Sequence, residues 1–251
     1  MSSTVDLEIV YRIANAPLRT FPFPHLYVPE IFPAAYYAEA LRSLPAAEAM
    51  TPLEQAGRAK GYPERSIMPL GGELPAGLGE AQRGFWTGFG RTLLGGRLAH
   101  AVLQKFESQI QQQLSRTPDF EIFDEAMLVH DRTRFALGPH SDSPKKLASL
   151  LFYMPADLSQ VRYGTSVYVP RDPSFTCPGG PHHAFADFER VATMPFAPNS
   201  LFAFPKSAVS FHGVEPIDEP GVARWLTLYD LRLKVLEQPA PGAPARTQFS
   251  F

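Results

Sequence analysis

Only one cysteine, Cys177, is present, so no intrachain disulfide can form and a reducing cytoplasm is the expected setting. No stretch reaches the roughly 18 apolar residues of a membrane span. The opening MSSTVDLEIVYRIANAPLRT lacks the basic start and apolar centre of a secretion signal. An excess of charge of either sign is missing too. The chain has 23 Lys and Arg against 25 Asp and Glu, a formal net charge of −2, which gives no ground for nucleic acid or an anionic membrane as partner. No segment repeats, which sets solenoids and propellers aside.

What remains is ample core material: 251 residues, 45% of them hydrophobic. The 26 prolines are spread along the chain, as they would be among many short elements joined by turns. The opening TFPFPHLYVPEIFPAAYYAEALRSLP reads as an extended segment followed by a short helix near Pro33 to Ser43. Residues 46–78 have weak periodicity and several glycines and prolines, and read as loop. From Glu80 to Leu114 the apolar residues Phe85, Phe89, Leu93, Val102, Phe106 and Ile110 recur at helical steps. Gly95-Gly96 breaks that run into two helices.

After Thr117 the texture changes to short aromatic and aliphatic runs between turns: FEIFDEAMLVHD, LASLLFYM, TSVYVP, SLFAFP, AVSFHGV and ARWLTLYDLRL. This is the pattern of a β-sandwich or barrel. The expectation is one domain over 1–236, with helices over about 1–116 and a β-rich body over about 117–236. The proline- and alanine-rich 237–251 would be a flexible tail.

The chemistry-bearing stretch is GPHSDSPKKLASLLFYMP, residues 138–155. His140 and Asp142 are two apart, and on extended backbone such residues point to one side, so they can share a metal ion. H-x-D is also an ordinary polar turn. A third ligand would come from His212 in SAVSFHGVEPI, on a strand able to return beside the first pair. Two histidines and one carboxylate on one face of an ion are the donor set of non-haem Fe(II) oxygenases. Arg224 lies on the apolar side of an alternating strand with Leu226 and Leu228. A buried guanidinium there needs a carboxylate, from the protein or from a ligand.

Taken in order, His140-x-Asp142, His212 and then Arg224 resemble the signature of the Fe(II)/2-oxoglutarate-dependent dioxygenases. FPFPHLYVPEIFP resembles the start of the prolyl-hydroxylase-like branch. The resemblance covers most of residues 20–235 and is strongest over 138–230. It implies a double-stranded β-helix, a jelly roll related to the cupins, with helices packed outside the major sheet. It also implies Fe(II) held by His140, Asp142 and His212, and 2-oxoglutarate held at its distal carboxylate by Arg224. The implied activity is hydroxylation of a small molecule or peptide side chain, with O₂ consumed and succinate and CO₂ released. Halogenases of this group usually have a small residue where Asp142 stands, so hydroxylation is the expected outcome.

Two departures leave the remaining cofactor contacts open. Many members have a serine two residues after the arginine, where this chain has Leu226; Thr227, Tyr153 or Ser149 would supply the hydroxyl instead. Where many members have a tyrosine upstream, this chain has His130, Arg132 and Arg134 in VHDRTRF. Cys177, His182 and His183 in CPGGPHHAF read as a turn-rich loop at the pocket mouth rather than a zinc site, because a structural zinc normally takes four ligands. Arg132, Arg134, Lys145 and Lys146 read as a solvated rim, and Arg232 is the fallback cofactor arginine. The competing readings are a cupin-like metalloenzyme without 2-oxoglutarate, favoured if Arg224 pairs with an internal acid, and a jelly-roll binding module. Substrate contacts would lie in 46–78 and 157–190.

Overall fold

The computed structural model describes residues 2–236 apart from 116 and 118; the tail expected over 237–251 lies outside the described residues. Helix α1 (Ser2–Asn15) comes first, then β1 (Leu26–Val28) and α2 (Ala34–Arg42). The stretch 46–78 expected to be loop contains β2 (Thr51–Pro52) and β3 (Arg65–Pro69). This is a correction. The RSIMP run of β3 is too short to show a period, but pairing with a neighbouring strand fixes it as sheet. The helical run resolves into α3 (Glu80–Leu93), α4 (Arg97–Lys105) and α5 (Glu107–Leu114). The first break falls at Gly95-Gly96, and a second, unforeseen one at Phe106.

The remaining strands are β4 (Phe120–Arg132), β5 (Leu137–His140), β6 (Lys146–Tyr153), β7 (Ser166–Pro170), β8 (Phe188–Thr193), β9 (Ser200–Pro205), β10 (His212–Val214) and β11 (Ala223–Val235). They form two antiparallel sheets. The larger has the order β1-β9-β6-β11-β4-β3-β2 and the smaller β5-β10-β7-β8. Strand order and pairing are those of a double-stranded β-helix, as the resemblance implied.

Alternation along the central strands decides which residues meet where. On β11 the odd positions Tyr229, Leu231 and Leu233 join a core with α1, α3 and α4, which includes Ile9, Trp86, Phe89, Leu93 and Val102. Helix α3 turns Trp86, Phe89, Gly90 and Leu93 to that core, and the Trp86 indole N–H donates to Ser43 O at 2.6 Å. The even positions Leu226 and Leu228 face the interior of the jelly roll with Val129, Leu151, Phe202 and Phe204. With both faces covered, β11 is buried along most of its length.

Candidate active site

Strand β5 ends at His140, which lies directly opposite His212 of β10; Asp142 follows just past the strand end. The two imidazole rings are 4.3 Å apart between centroids. Asp142 Oδ1 is 4.0 Å from His140 Nε2, and Oδ2 is 3.9 Å from His212 Nε2. All three residues are buried, and one ligand atom from each lies within 4.8 Å of the others. His140 Nδ1 is 2.9 Å from Gly138 O, and His212 Nδ1 is 3.0 Å from Ser210 O. A protonated Nδ1 donating to each carbonyl leaves both Nε2 lone pairs free, the arrangement a metal-binding histidine uses. Burial holds both imidazoles below their ordinary pKa, His140 further because the His212 ring is beside it. They are therefore kept in the neutral form a metal needs.

Burial alone would raise the Asp142 carboxyl, but Lys146, followed by the two imidazoles, holds it well below the usual carboxylate range. Lys146 corrects the sequence reading. It belongs to no solvated rim; its side chain is 15% exposed, with Nζ 3.1 Å from Asp142 Oδ1 and 3.0 Å from Asp230 Oδ2. Ser149 Oγ lies 2.8 Å from Asp142 Oδ2 and 2.9 Å from Asp230 Oδ1, with a single proton to donate between them. Ser149 thus serves the metal end of the site.

From this end a cavity of about 110 Å³ runs inward between Val129, Leu151, Leu226 and Leu228 to Arg224, Thr165 and Arg65. Arg224 is fully buried. Its Nη1 donates to Asp131 Oδ2 and its Nε to Tyr163 O, both at 2.7 Å. The same carboxylate accepts two bonds from Arg65, at 2.6 and 2.9 Å. The register explains this meeting, since Arg65 faces Asp131 across β3 and β4, and Asp131 faces Arg224 across β4 and β11. Two guanidinium groups therefore share one carboxylate, leaving one positive charge over. Arg224 Nη2 and Thr165 Oγ1 are both buried without a hydrogen-bond partner. Orphaned polar atoms of this kind are costly, and an oxygen of a bound ligand or of an ordered water would offset that cost.

Of the hydroxyls proposed for this end, Tyr153 stands on the inner face, with its ring 5.7 Å below the Arg224 guanidinium. Its oxygen accepts from the Thr165 N–H at 3.1 Å, so it supports the pocket wall without lining the cavity. Thr227 is misplaced by the sequence reading. Three residues from Arg224 on a strand, it points to the opposite face, with its hydroxyl 3.5 Å from Met154 Sδ. Arg232 pairs with Glu125 away from the cavity. The sequence reading missed Arg65, Asp131 and Thr165. For Asp131 a signal existed: it shares the parity of the inward-facing Met127 and Val129 on β4.

The Cys177–His183 loop is stapled over the H-x-D segment. Ser141 Oγ donates to Cys177 O at 2.8 Å, and the His183 N–H donates to Pro139 O at 2.9 Å. Gly138 and Gly179 permit the approach, since a Cβ on either would meet backbone oxygen of the other segment at 2.5 and 2.2 Å. The loop lays His182 4.4 Å from the His140 ring, where its Nδ1 is hydrogen-bonded to the Tyr62 hydroxyl. Both residues are at least partly solvent-accessible. They join the two segments, 46–78 and 157–190, in which substrate contacts were expected.

No protein-family model matches the sequence, and no curated protein matches it. The fold is that of the 2-oxoglutarate- and Fe(II)-dependent oxygenases. Among solved structures the chain is similar to the epimerase SnoN in complex with Fe3+, alpha ketoglutarate and nogalamycin RO, at 14% identity over 96% of this chain and 92% of that one, with a TM-score of 0.51. A prolyl 4-hydroxylase from Phytophthora capsici is similar at 12% identity, 92% of this chain, 65% of that one and a TM-score of 0.50. A prolyl hydroxylase from Trichoplax adhaerens, in complex with a hypoxia inducible factor peptide, has 11% identity, 90% and 88% coverage and a TM-score of 0.49. At these identities the likeness is one of fold, and the chemistry rests on the residues themselves.

Proposed function

We propose that this protein is an Fe(II)- and 2-oxoglutarate-dependent oxygenase that hydroxylates a small molecule or a peptide side chain. One observation carries the reading: a His-Asp-His donor set stands at one end of a cavity whose other end holds a surplus positive charge and two unpartnered buried donors. His140, Asp142 and His212 would hold the metal, the donor set of non-haem iron sites. Arg224 Nη2 and Thr165 Oγ1 would hold the distal carboxylate of the keto acid.

Bound there, iron and 2-oxoglutarate supply oxidative decarboxylation, which turns O₂ into an oxidant for an unactivated C–H bond. The chain positions and protects. The carbonyls of Gly138 and Ser210 fix both imidazole rings, and Lys146 and Ser149 fix the Asp142 carboxylate. Leu151, Leu226 and Leu228 keep the space between the two ends apolar. Asp142 supplies a carboxylate where a halogenase would need room for a halide, which supports hydroxylation.

A second reading has an observation of its own. Arg224 does pair with an internal acid, Asp131, as expected of a cupin-like enzyme without 2-oxoglutarate. The two readings separate on anaerobic titration of the metal-free protein with Fe(II) and then 2-oxoglutarate. The first predicts a weak visible charge-transfer band that is lost in Arg224→Ala and His212→Ala. Iron uptake without a band would favour the second, and absence of iron uptake would leave a binding module.

A further inference from the structure

Lys146 gives the metal end a cation of its own. Its ammonium contacts both Asp142 and Asp230 and lies 3.3 Å from Ser149 Oγ. The side chains of Asp142 and Asp230 are 10% and 3% exposed, so water screens these charges little. Asp142 is also the one carboxylate of the metal-ligand set. A divalent ion bound by His140, His212 and Asp142 would draw on the same negative charge that Lys146 now balances. Asp230 stands opposite Ser149 in the β6–β11 register and contacts no histidine of the set. Its carboxylate serves the ammonium.

We propose that Lys146 is a built-in counter-ion that competes with the divalent metal for Asp142, while Asp230 holds the ammonium when the metal is bound. Lys146 offsets the Asp142 charge in the metal-free site and sets the metal affinity below what the three ligands alone would give. This rests on the metal site proposed above. A cation a few ångströms from a divalent ion raises the ion's free energy, and removing it lowers that energy. A carboxylate nearby acts with the opposite sign. An ion pair serving structure alone would behave differently, because loss of either partner would loosen the site and weaken metal binding.

The opposed signs are the test. Co(II) is titrated into the metal-free full chain against a competing chelator, following the visible d–d bands, for the parent, Lys146→Gln, Lys146→Met and Asp230→Asn. Both Lys146 variants should bind Co(II) about tenfold or more tightly, and Asp230→Asn about tenfold more weakly. Gln retains a hydrogen-bond donor, so its agreement with Met assigns the effect to charge. The melting temperature should rise further on Co(II) addition in the Lys146 variants than in the parent. Unchanged or weaker binding in Lys146→Gln, or unchanged binding in Asp230→Asn, would overturn the proposal and leave the metal site standing. If the Lys146 variants do not fold, the double variant Lys146→Met/Asp230→Asn decides: Co(II) affinity near the parent's, because the two opposed charges are removed together, supports the proposal, and a loss of about tenfold or more overturns it. A parent protein that takes up no Co(II) would overturn this inference and the metal site together.

Discussion

At the metal end of the cavity the protein supplies a partner for each working group: a carbonyl for either Nδ1, Lys146 and Ser149 for Asp142, and Asp230 for Lys146. At the deep end it does not, because Arg224 Nη2 and Thr165 Oγ1 are buried and unpaired. The metal end is finished apart from the cation that two free Nε2 lone pairs and a carboxylate invite. The deep end is short of an acceptor. A chelating keto acid with a second carboxylate would meet both conditions at once, which is why the contrast favours the oxygenase reading over an iron site alone.

The contrast can be broken in several places. Asp142→Ala should abolish Fe(II)-dependent succinate formation from 2-oxoglutarate. The fold should survive, because Lys146 still has Asp230; circular dichroism checks the fold and succinate assay the activity. Asp131→Asn removes the one carboxylate that two guanidiniums share. It should cost about 3–5 kcal/mol of stability, measured by urea denaturation, with more damage at the deep end than at the metal end. Arg224→Met should weaken 2-oxoglutarate binding by about 2–5 kcal/mol while Co(II) affinity holds, as calorimetry with each ligand would show. A matching loss of Co(II) affinity would mean that the two ends are not separable.

Thr165→Val should weaken 2-oxoglutarate by about 1 kcal/mol, the worth of one hydrogen bond. It should not lower the melting temperature, because the hydroxyl has no partner to lose. The smallest effect is expected for Thr227→Val. That side chain lies on the helix-facing side of β11, so 2-oxoglutarate affinity should be unchanged; a drop of tenfold would contradict the parity assignment.

How much was legible follows from the same division. His140, Asp142, His212 and Arg224 were readable because their spacing is local or falls on clearly alternating strands, and the structure brings them to one cavity. The β-rich body and the break at Gly95-Gly96 were readable from periodicity and turn residues. β3 was not, since five residues with no alternation declare no element without a neighbour. Thr227 was misassigned by overlooking strand parity, which the sequence did contain. Lys146 looked like a surface charge because Lys145-Lys146 sits beside a turn. Only the fold showed that one lysine turns outward and the next turns in between two carboxylates.

By itself the sequence determined the helical stretch before the β-rich body, the inward and outward faces of the long strands, and a metal-capable set of side chains. Hydrophobic alternation and residue chemistry are properties of the chain before it folds. Tertiary structure alone decided that Arg65, Asp131 and Arg224 form one row across three strands. It also decided that Lys146 joins Asp142 to Asp230, and that the Cys177–His183 loop lays His182 on His140. Each depends on strand register and on contacts between residues far apart in sequence, and these are fixed only when the two sheets close around a common core.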